Sequence, residues 1–355
     1  MKRLFSILIA LTVLLGACST ATTVVPASSP TPSGPTKLTI MTHSSFAVSD
    51  AVKAAFESQN NVQVEILKAG DAGEELNKAI LAKGQPLADV YYGIDNTLLS
   101  RALTEDIFDP YNAAALAQIP TEFKLDPSYR ALPVDYGDVC LNYDKDYFKT
   151  NNLTPPASLE DLLLPEYKGL LVVQNPATSS PGLAFLLTTI AHFGEDKYLA
   201  YWQGLVANQI KVVNSWEVAY YTEFTRAGGT RPIVVSYSSS PAFELLYANP
   251  PVSEPPTAAI TAPGTCFRQV EFVGILKGTK NPDLAQKWVD FMLSNTFQAD
   301  MPLQMFVFPV LPGVTLADAF TKFLVNPIQT ATLDPALITA NRQAWLQAWT
   351  ETVLR

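Results

Sequence analysis

The sequence has few charged residues and very few of the side chains that commonly bind metals. Of its 355 residues only 16% are charged, and it contains two histidines and three cysteines. No CxxC pair and no HExxH motif is present, although these spacings are typical of structural and catalytic zinc sites. The sequence therefore predicts no built-in metal site and no cofactor.

Basic residues are scarce and are not clustered. Lysine and arginine total 24 against 33 acidic residues, which gives a net charge of −9 at pH 7. Removal of a leader that carries Lys2 and Arg3 and no acidic residue lowers the net charge by two, to −11. Nucleic-acid-binding proteins usually carry a basic patch. The charge pattern argues against a nucleic-acid partner and favours a cationic ligand.

Motifs of the common hydrolases are also missing. The sequence has no GxSxG elbow, and its only histidines are His43 and His192, neither with an evident serine partner. His192 falls in an apolar helical stretch, which is typical of a structural role. An extracytoplasmic hydrolase is therefore the less favoured alternative to a binding protein.

The N-terminus carries the only apolar run that resembles a membrane-directed segment. Lys2 and Arg3 precede an apolar stretch at 4–15, which ends in LGAC at 15–18. This junction resembles the bacterial lipobox, in which the cysteine receives lipid. We expect residues 1–18 to be a lipoprotein signal peptide with Cys18 as the membrane anchor; an ordinary signal peptide is the alternative. Residues 19–37, rich in Ser, Thr and Pro, are expected to form a tether.

The remaining chain begins with strands that alternate with helices. We predict strands at 38–42, 62–67 and 88–94, and helices at 50–58 and 73–83. This alternation predicts a parallel, three-layer α/β lobe. Ligands of such sheets bind beyond the carboxyl ends of the strands. The side chains expected there include His43, Asp71 and Asp95.

The stretch NPATSSPGL at 175–183 opens an apolar helix that extends to about residue 193. Thr178 and Ser179 stand at its N-cap region, and Pro181 suits the first helical turn. The unpaired N–H groups and the helix dipole at such an end can bind phosphate or carboxylate. The alternative is that Thr178 or Ser179 only caps the helix.

Further along, we predict a helix at 217–224. A C-terminal helix opened by Asp334 and Pro335 aligns Trp345 and Trp349, which are expected to be packing residues.

Two segments are expected to cross between lobes. The segments at 132–143 and 266–271 should run side by side, and they contain Cys140 and Cys266. Exported proteins meet oxidising conditions, so we predict a disulfide between these two cysteines, with two buried free thiols as the alternative. The crossings divide the body into lobe 1 (38–134 and 268–355) and lobe 2 (135–267).

Several short motifs taken together resemble the thiamine-binding proteins of bacterial ABC transporters, which belong to the type II periplasmic binding proteins. The resemblance covers nearly all of 38–355. It implies an α/β, two-lobed fold in which each lobe is a three-layer α/β/α sandwich and a hinge joins the lobes. It also implies a monomer that delivers thiamine or its phosphates to an ABC permease. The motifs are THSSF (42–46), GIDN (93–96), PVDYG (133–137), NPATSSPGL (175–183), SW (215–216), SYSSSPA (236–242) and NRQAW (341–345).

The resemblance also implies the side chains of the site. Those expected to surround the phosphate and the rings are Asp71, Ala72, Ser179, Trp216, Ser236 and Tyr237. Three features depart from the family pattern: His43 replaces a tyrosine, Phe306 replaces a tryptophan, and the family tryptophan near the start of the helix after the first strand has no counterpart.

The chemistry of thiamine assigns a role to each kind of side chain. Trp216, Tyr237 and Phe306 can face the thiazolium cation. Asp95 or Asp135 can accept a hydrogen bond from the pyrimidine amine.

Other ligands of the same class stay open as alternatives: a thiamine precursor, ferric ion or a polyamine. Ferric-binding relatives use adjacent tyrosines after the strand that ends near Tyr237, and only that one tyrosine is present there. Polyamine sites need several carboxylates, and the strand ends offer few.

The lipobox generates a direct prediction. The Cys18→Ser protein should lose its membrane association, because stable anchoring requires the acyl chains attached to this residue. Detergent partitioning of the expressed protein measures this, with Thr20→Ala as the matched control. Partitioning of Cys18→Ser identical to that of the control would contradict the anchor.

Overall fold

The structure is a computed structural model that describes residues 36–327 and 329–355. The predicted signal peptide, the lipidation site Cys18 and all of the predicted tether except residues 36 and 37 lie outside the described residues. Within the described ranges, no helix combines the length and the apolar character that a membrane crossing requires.

Eleven strands form one mixed sheet. Its main path runs β2-β1-β3-β10-β5-β8-β6-β7, while β4 pairs with β10, and β9 and β11 pair with β5. The strands are β1 (Thr36–Thr42), β2 (Val62–Lys68), β3 (Val90–Asp95), β4 (Phe108–Asp109), β5 (Leu132–Asp144), β6 (Leu171–Gln174), β7 (Lys211–Val213), β8 (Ile233–Tyr237), β9 (Thr257–Ile260), β10 (Phe267–Leu276) and β11 (Phe308–Pro309).

Twelve α-helices connect or flank these strands in the described part of the chain. They are α1 (Asp50–Asn60), α2 (Ala72–Leu81), α3 (Leu99–Thr104), α4 (Lys145–Thr150), α5 (Ser180–Phe193), α6 (Tyr198–Ala207), α7 (Trp216–Val218), α8 (Ser240–Leu246), α9 (Pro282–Met292), α10 (Asn295–Gln304), α11 (Asp318–Phe323) and α12 (Pro335–Val353).

Local capping accounts for the helix starts. The Ser49 hydroxyl accepts from the N–H of Val52 at 3.4 Å, and Asp334 accepts from Ala336 at 2.7 Å ahead of α12. The parallel pairing of β2, β1 and β3 agrees with the strand-helix alternation of the sequence. The strands and helices predicted between residues 38 and 94 are confirmed, with boundary shifts of one or two residues, whereas the crossing segment predicted at 266–271 extends to residue 276.

One predicted helix was wrong in its geometry. Instead of a continuous helix over 217–224, the structure has the short α7 followed by a π-helical turn at Ala219–Glu223. The N–H of Phe224 bonds to the carbonyl of Ala219 at 3.0 Å, five residues back. With this winding the rings of Trp216 and Tyr220 stack 5.0 Å apart, which packs both aromatics on one side of the turn.

The two crossing segments are β5 and β10, which pair antiparallel through the middle of the sheet. β5 is a single strand of 13 residues, and it carries β8 and β9 along its later half. β10 pairs with β3 and β4 along its later half. These two strands join the sheet half that holds β1 to β3 to the half that holds β6 to β8.

The division of the chain into two lobes stays a prediction. The contacts of the C-terminal helix α12 are relevant to where the boundary between the lobes lies. The sequence analysis groups α12 with lobe 1, yet the Trp349 ring packs on Trp202 of α6 with 5.4 Å between centroids. Trp345 also donates from Nε1 to Glu195 at 3.1 Å. Both α12 tryptophans are buried, as expected of packing residues. Helix α12 therefore contacts the segment predicted as lobe 2.

A disulfide joins Cys140 of β5 to Cys266, the residue before β10, with the Cα atoms 4.4 Å apart. The predicted pairing is thus present in the structure. Both cysteines are fully buried. The bond closes a chain segment of 126 residues and fixes the two crossing strands to each other.

Removal of this bond should lower the free energy of unfolding by roughly 2–5 kcal/mol, because a long closed loop restricts the unfolded chain. Urea denaturation of the Cys140→Ala/Cys266→Ala double variant, compared with wild type with and without reductant, measures the loss. The double variant should not respond to reductant. A wild-type midpoint that reductant leaves unchanged would contradict the prediction.

Candidate ligand-binding site

A cavity of about 240 Å³ opens between the two halves of the sheet. It lies near the carboxyl ends of β1, β2 and β8, where α/β sheets bind their ligands. Segments from both predicted lobes contribute to its wall. The lining residues are His43, Ser45, Phe46, Ala47, Lys68, Asp71, Ser180, Pro181, Trp216, Glu217, Tyr221, Tyr237, Glu271, Gln304, Met305, Phe306 and Val307.

Aromatic rings form one wall of the cavity. Trp216 is at its centre, with Phe306 at 5.9 Å and Tyr221 at 5.4 Å, both near-perpendicular to it, and Tyr237 at 6.5 Å. The indole Nε1 donates to Ser236 Oγ at 3.0 Å, so Ser236 lies behind the ring as its support. The predicted aromatic residues Trp216, Tyr237 and Phe306 are therefore brought together in one wall.

Asp71 connects the two sides of the cavity. It caps α2 by accepting from the N–H of Ala72 at 2.7 Å, and its other oxygen accepts from the N–H of Trp216 at 2.9 Å. Burial raises the pKa of Asp71 to about 6, although these N–H donors oppose the shift. Ala72 is buried as the first residue of α2 and does not line the cavity. Asp71 is thus both a lining residue and a bridge between segments.

A second bridge lies beside Asp71. The N–H of Gly73 donates to the carbonyl of Thr178 at 2.8 Å. A Cβ atom at Gly73 would lie 2.7 Å from the Ala177 carbonyl oxygen and 2.8 Å from that of Thr178, so only glycine permits this approach. We define the contacts of Asp71 and Gly73 with 177–178 and Trp216 as the clasp.

Helix α5 begins at the cavity, as the sequence analysis expects. Its N-cap residue, Ser179, makes no capping hydrogen bond to the described residues. The buried Ser179 hydroxyl lies toward the Asp71 carboxyl and lowers its pKa, without forming a hydrogen bond of normal geometry. Thr178 donates to the Asn214 carbonyl at 2.6 Å. Ser180 and Pro181, rather than these two residues, line the cavity.

The two carboxylates expected to contact the ligand, Asp95 and Asp135, do not line the cavity. Asp95 Oδ1 accepts from the Thr97 hydroxyl at 2.6 Å and from the Thr97 N–H at 3.1 Å, and Gln269 donates to Oδ2. Burial raises the pKa of Asp95 to about 6. Both oxygens of Asp95 thus accept hydrogen bonds from protein groups, and the carboxyl group does not line the cavity.

Glu271 lines the cavity together with Asp71, and the sequence did not identify it as a site residue. It lies opposite Asp135 across the β5–β10 pair, and the Tyr92 hydroxyl contacts both carboxyl groups, at 2.5 Å to Asp135 Oδ2 and 3.4 Å to Glu271 Oε2. Burial and Asp135 raise the pKa of Glu271 well above its usual range. A signal was present, because Glu271 is the one acid in the apolar run 270–276.

His43 faces this pair, with Nε2 at 3.5 Å from Glu271 Oε1. Burial, with a smaller effect of Lys68, lowers the pKa of His43 to about 4. The imidazole is therefore neutral at pH 7, and its contact with Glu271 is not an ion pair. A neutral imidazole in the wall can serve a ligand as donor or acceptor.

Sequence reasoning also missed Lys68, Glu217 and Tyr221. Lys68 ends β2 at the carboxyl edge of the sheet, a position that could have identified it. Among the described lining residues it is the only cation, against the carboxyl groups of Asp71, Glu217 and Glu271. The cavity is therefore lined by aromatic rings and by more carboxyl groups than cations.

Within 36–327 and 329–355, no group of three or more His, Cys, Asp or Glu residues is arranged to hold a metal ion. The ferric-ion alternative thus gains no support from a cluster of this kind. The cavity is formed by aromatic rings, carboxyl groups and one lysine, which together suit a small organic ligand.

Known proteins resemble this chain over most of its length. The family described as "Bacterial extracellular solute-binding protein" matches residues 85–328. The thiamine-binding periplasmic protein of Escherichia coli (strain K12) is 34% identical over 323 residues, which cover 90% of this chain and 94% of the relative. The thiamine-binding protein of Brucella abortus is 31% identical over 320 residues, 88% of this chain and 91% of that one.

Solved structures share the fold. One titled "Periplasmic thiamin binding protein" aligns with a TM-score of 0.78 at 32% identity, over 90% of this chain and 96% of that one. These matches assign the α/β fold of periplasmic binding proteins, and the relatives are binding proteins of transport systems rather than enzymes. The chain belongs to the family of bacterial extracellular solute-binding proteins.

Proposed function

We propose that this protein captures thiamine or a thiamine phosphate in the cavity and delivers it to an ABC permease. The observation that carries the proposal is the cavity itself, which Trp216, Asp71 and Glu271 line together. The names of the relatives at 34% and 31% identity support the same ligand. The proposal includes attachment of the protein to the outer face of the membrane through lipid on Cys18.

The aromatic wall suits the ring system of thiamine. Its thiazolium ring carries a permanent positive charge, and each face of Trp, Tyr or Phe can contribute about 0.5–2 kcal/mol to binding such a cation. Trp216 is only 7% exposed, so a cation at its face is largely shielded from water. The Glu271 carboxyl and the neutral His43 imidazole offer polar partners for the aminopyrimidine.

A phosphate group has two partners among the lining residues. Lys68 supplies a positive charge, and the first turn of α5 at Ser180 supplies the partial positive charge of a helix N-terminus. Asp71 lies next to this turn and opposes an anion. The phosphate arm would therefore depend strongly on Lys68, whereas the rings would not.

This division of roles generates a prediction. Lys68→Met should weaken thiamine monophosphate by roughly ten- to a hundredfold, because a hydrogen bond to a charged group contributes about 1.5–3 kcal/mol. It should leave thiamine nearly unchanged. Trp216→Phe, which keeps an aromatic core residue, should weaken both ligands by a similar, smaller factor.

Titration calorimetry of both variants with both ligands measures these effects. Equal losses for the two ligands in Lys68→Met would reject the phosphate role of Lys68. If wild-type protein, unfolded to remove retained ligand and refolded, gives no heat with either ligand, the thiamine assignment is wrong.

The clasp generates a second prediction. Gly73→Ala should weaken thiamine binding at least tenfold although Gly73 does not line the cavity, because the added Cβ forces the 177–178 backbone away from α2. Calorimetry gives the affinity, and the exposed Asn77→Ala on the same helix is the matched control. If Gly73→Ala binds thiamine with wild-type affinity, the contacts of the clasp do not contribute to binding.

A further inference from the structure

Two carboxyl groups, Asp135 and Glu271, lie opposite each other on the crossing strands β5 and β10. They are 0% and 6% exposed, so solvent screens them very little. Two buried carboxylates in contact repel each other strongly, and such a pair is stabilised when it holds one proton. Glu271 lines the cavity, whereas Asp135 lies behind it.

Within the described residues, no lysine or arginine forms an ion pair with either carboxyl group; Lys68 lines the same cavity, and its charge acts on the neighbouring His43. The groups that face the pair are Tyr91, Tyr92 and Asp95 from β3, Tyr237 from β8 and His43 from the segment after β1. All of these are acidic or neutral at pH 7. Asp135 Oδ1 has no hydrogen-bond partner among the described residues, and neither has His43 Nε2.

The two carboxyl groups differ in the hydrogen bond that they accept from Tyr92. The Tyr92 hydroxyl donates to Asp135 at 2.5 Å but lies 3.4 Å from Glu271. A donated hydrogen bond stabilises the charged form of a carboxyl group. Asp135 is therefore the charged member, and the proton resides on Glu271, the member that a ligand can reach. The pKa directions agree, because burial and the neighbouring Asp135 raise the pKa of Glu271 well above its usual range, while the Tyr92 hydroxyl opposes the rise at Asp135.

We infer that Glu271, paired with Asp135, selects a positively charged ligand by giving up its proton when the cation enters the cavity, so that capture releases one proton. The inference rests on the proposed function and adds a residue that determines specificity. The balance is complete: the pair changes from −1 to −2, the ligand contributes +1, and the proton passes to solvent. The permanent charge of the ligand replaces the proton as the partner of the Glu271 carboxylate.

The sign of the pH dependence follows from this exchange. The cation competes with a proton for Glu271, so affinity should rise with pH below the pKa of Glu271, by up to about tenfold per pH unit for one proton. Above that pKa the affinity should level off. A neutral ligand would gain nothing from the carboxylate and should show no such rise.

Calorimetric titration with thiamine at pH 7, in two buffers that differ in ionisation enthalpy, counts the protons released. We expect close to one proton per thiamine for the wild type. In Glu271→Gln the release should fall to near zero, the affinity should drop ten- to a hundredfold, and its pH dependence between pH 6.5 and 8.5 should become flat. Glutamine has nearly the same volume, so the cavity shape is kept.

Glu166→Gln is the matched control, because it removes one exposed carboxylate that does not line the cavity and leaves the crossing strands intact. It should retain the proton release of the wild type. Equal proton release in wild type and Glu271→Gln would overturn the inference while leaving the thiamine assignment in place.

A second measurement does not depend on the ligand. The infrared spectrum of the unliganded wild type should contain the C=O band of a protonated carboxylic acid that is missing in Glu271→Gln. Absence of that band from the wild type would overturn the inference. If the band is present but thiamine gives no heat, the proposed function fails and the proton-holding pair stands.

Discussion

The antiparallel pairing of β5 with β10 is the interaction on which the rest of the structure depends. β3 and β4 are attached to β10, while β8, β9 and β11 are attached to β5. Without this ladder, the sheet would separate into a part around β1 and a part around β6. The disulfide from Cys140 to Cys266 secures one end of the ladder, and backbone hydrogen bonds continue it past Glu271. The same two strands thus hold the fold, and β10 contributes Glu271 to the site.

The clasp complements this ladder at the other side of the cavity. The carboxyl group of Asp71 satisfies the N–H groups that begin two helices, α2 and α7, in different parts of the chain. A buried carboxyl group is costly unless it is hydrogen-bonded, so the two helix starts and Asp71 stabilise one another. Two kinds of connection therefore lie beside the cavity. One is the ladder between β5 and β10, and the other is the clasp.

Aromatic rings and carboxyl groups line the same cavity, and Asp71 is hydrogen-bonded directly to the backbone of Trp216. Trp216, Tyr221 and Phe306 offer ring faces and edges, and Asp71, Glu217 and Glu271 supply carboxyl groups. An anion lacking a ring would meet repulsion from most of the wall, and an apolar molecule would leave the buried carboxyl groups without partners. Under the proposed function, an organic cation would contact both the rings and the carboxyl groups, and Lys68 would contact an anionic arm.

The sequence by itself determined the local features: the strands, the helix starts at Ser49 and Pro335, and the loop that opens α5. These follow from periodicity, capping and proline placement, all of which act over a few residues. The family resemblance added the aromatic wall and Asp71.

Only the tertiary structure decided which carboxyl group faces the cavity, since that depends on strand register and on hydrogen bonds between distant residues. Asp95 is occupied by Thr97 and Gln269, Asp135 lies behind Glu271, and Lys68 enters through the end of β2. The π-helical turn after Trp216 was also decided there, because its aromatic packing involves contacts that helical periodicity does not specify.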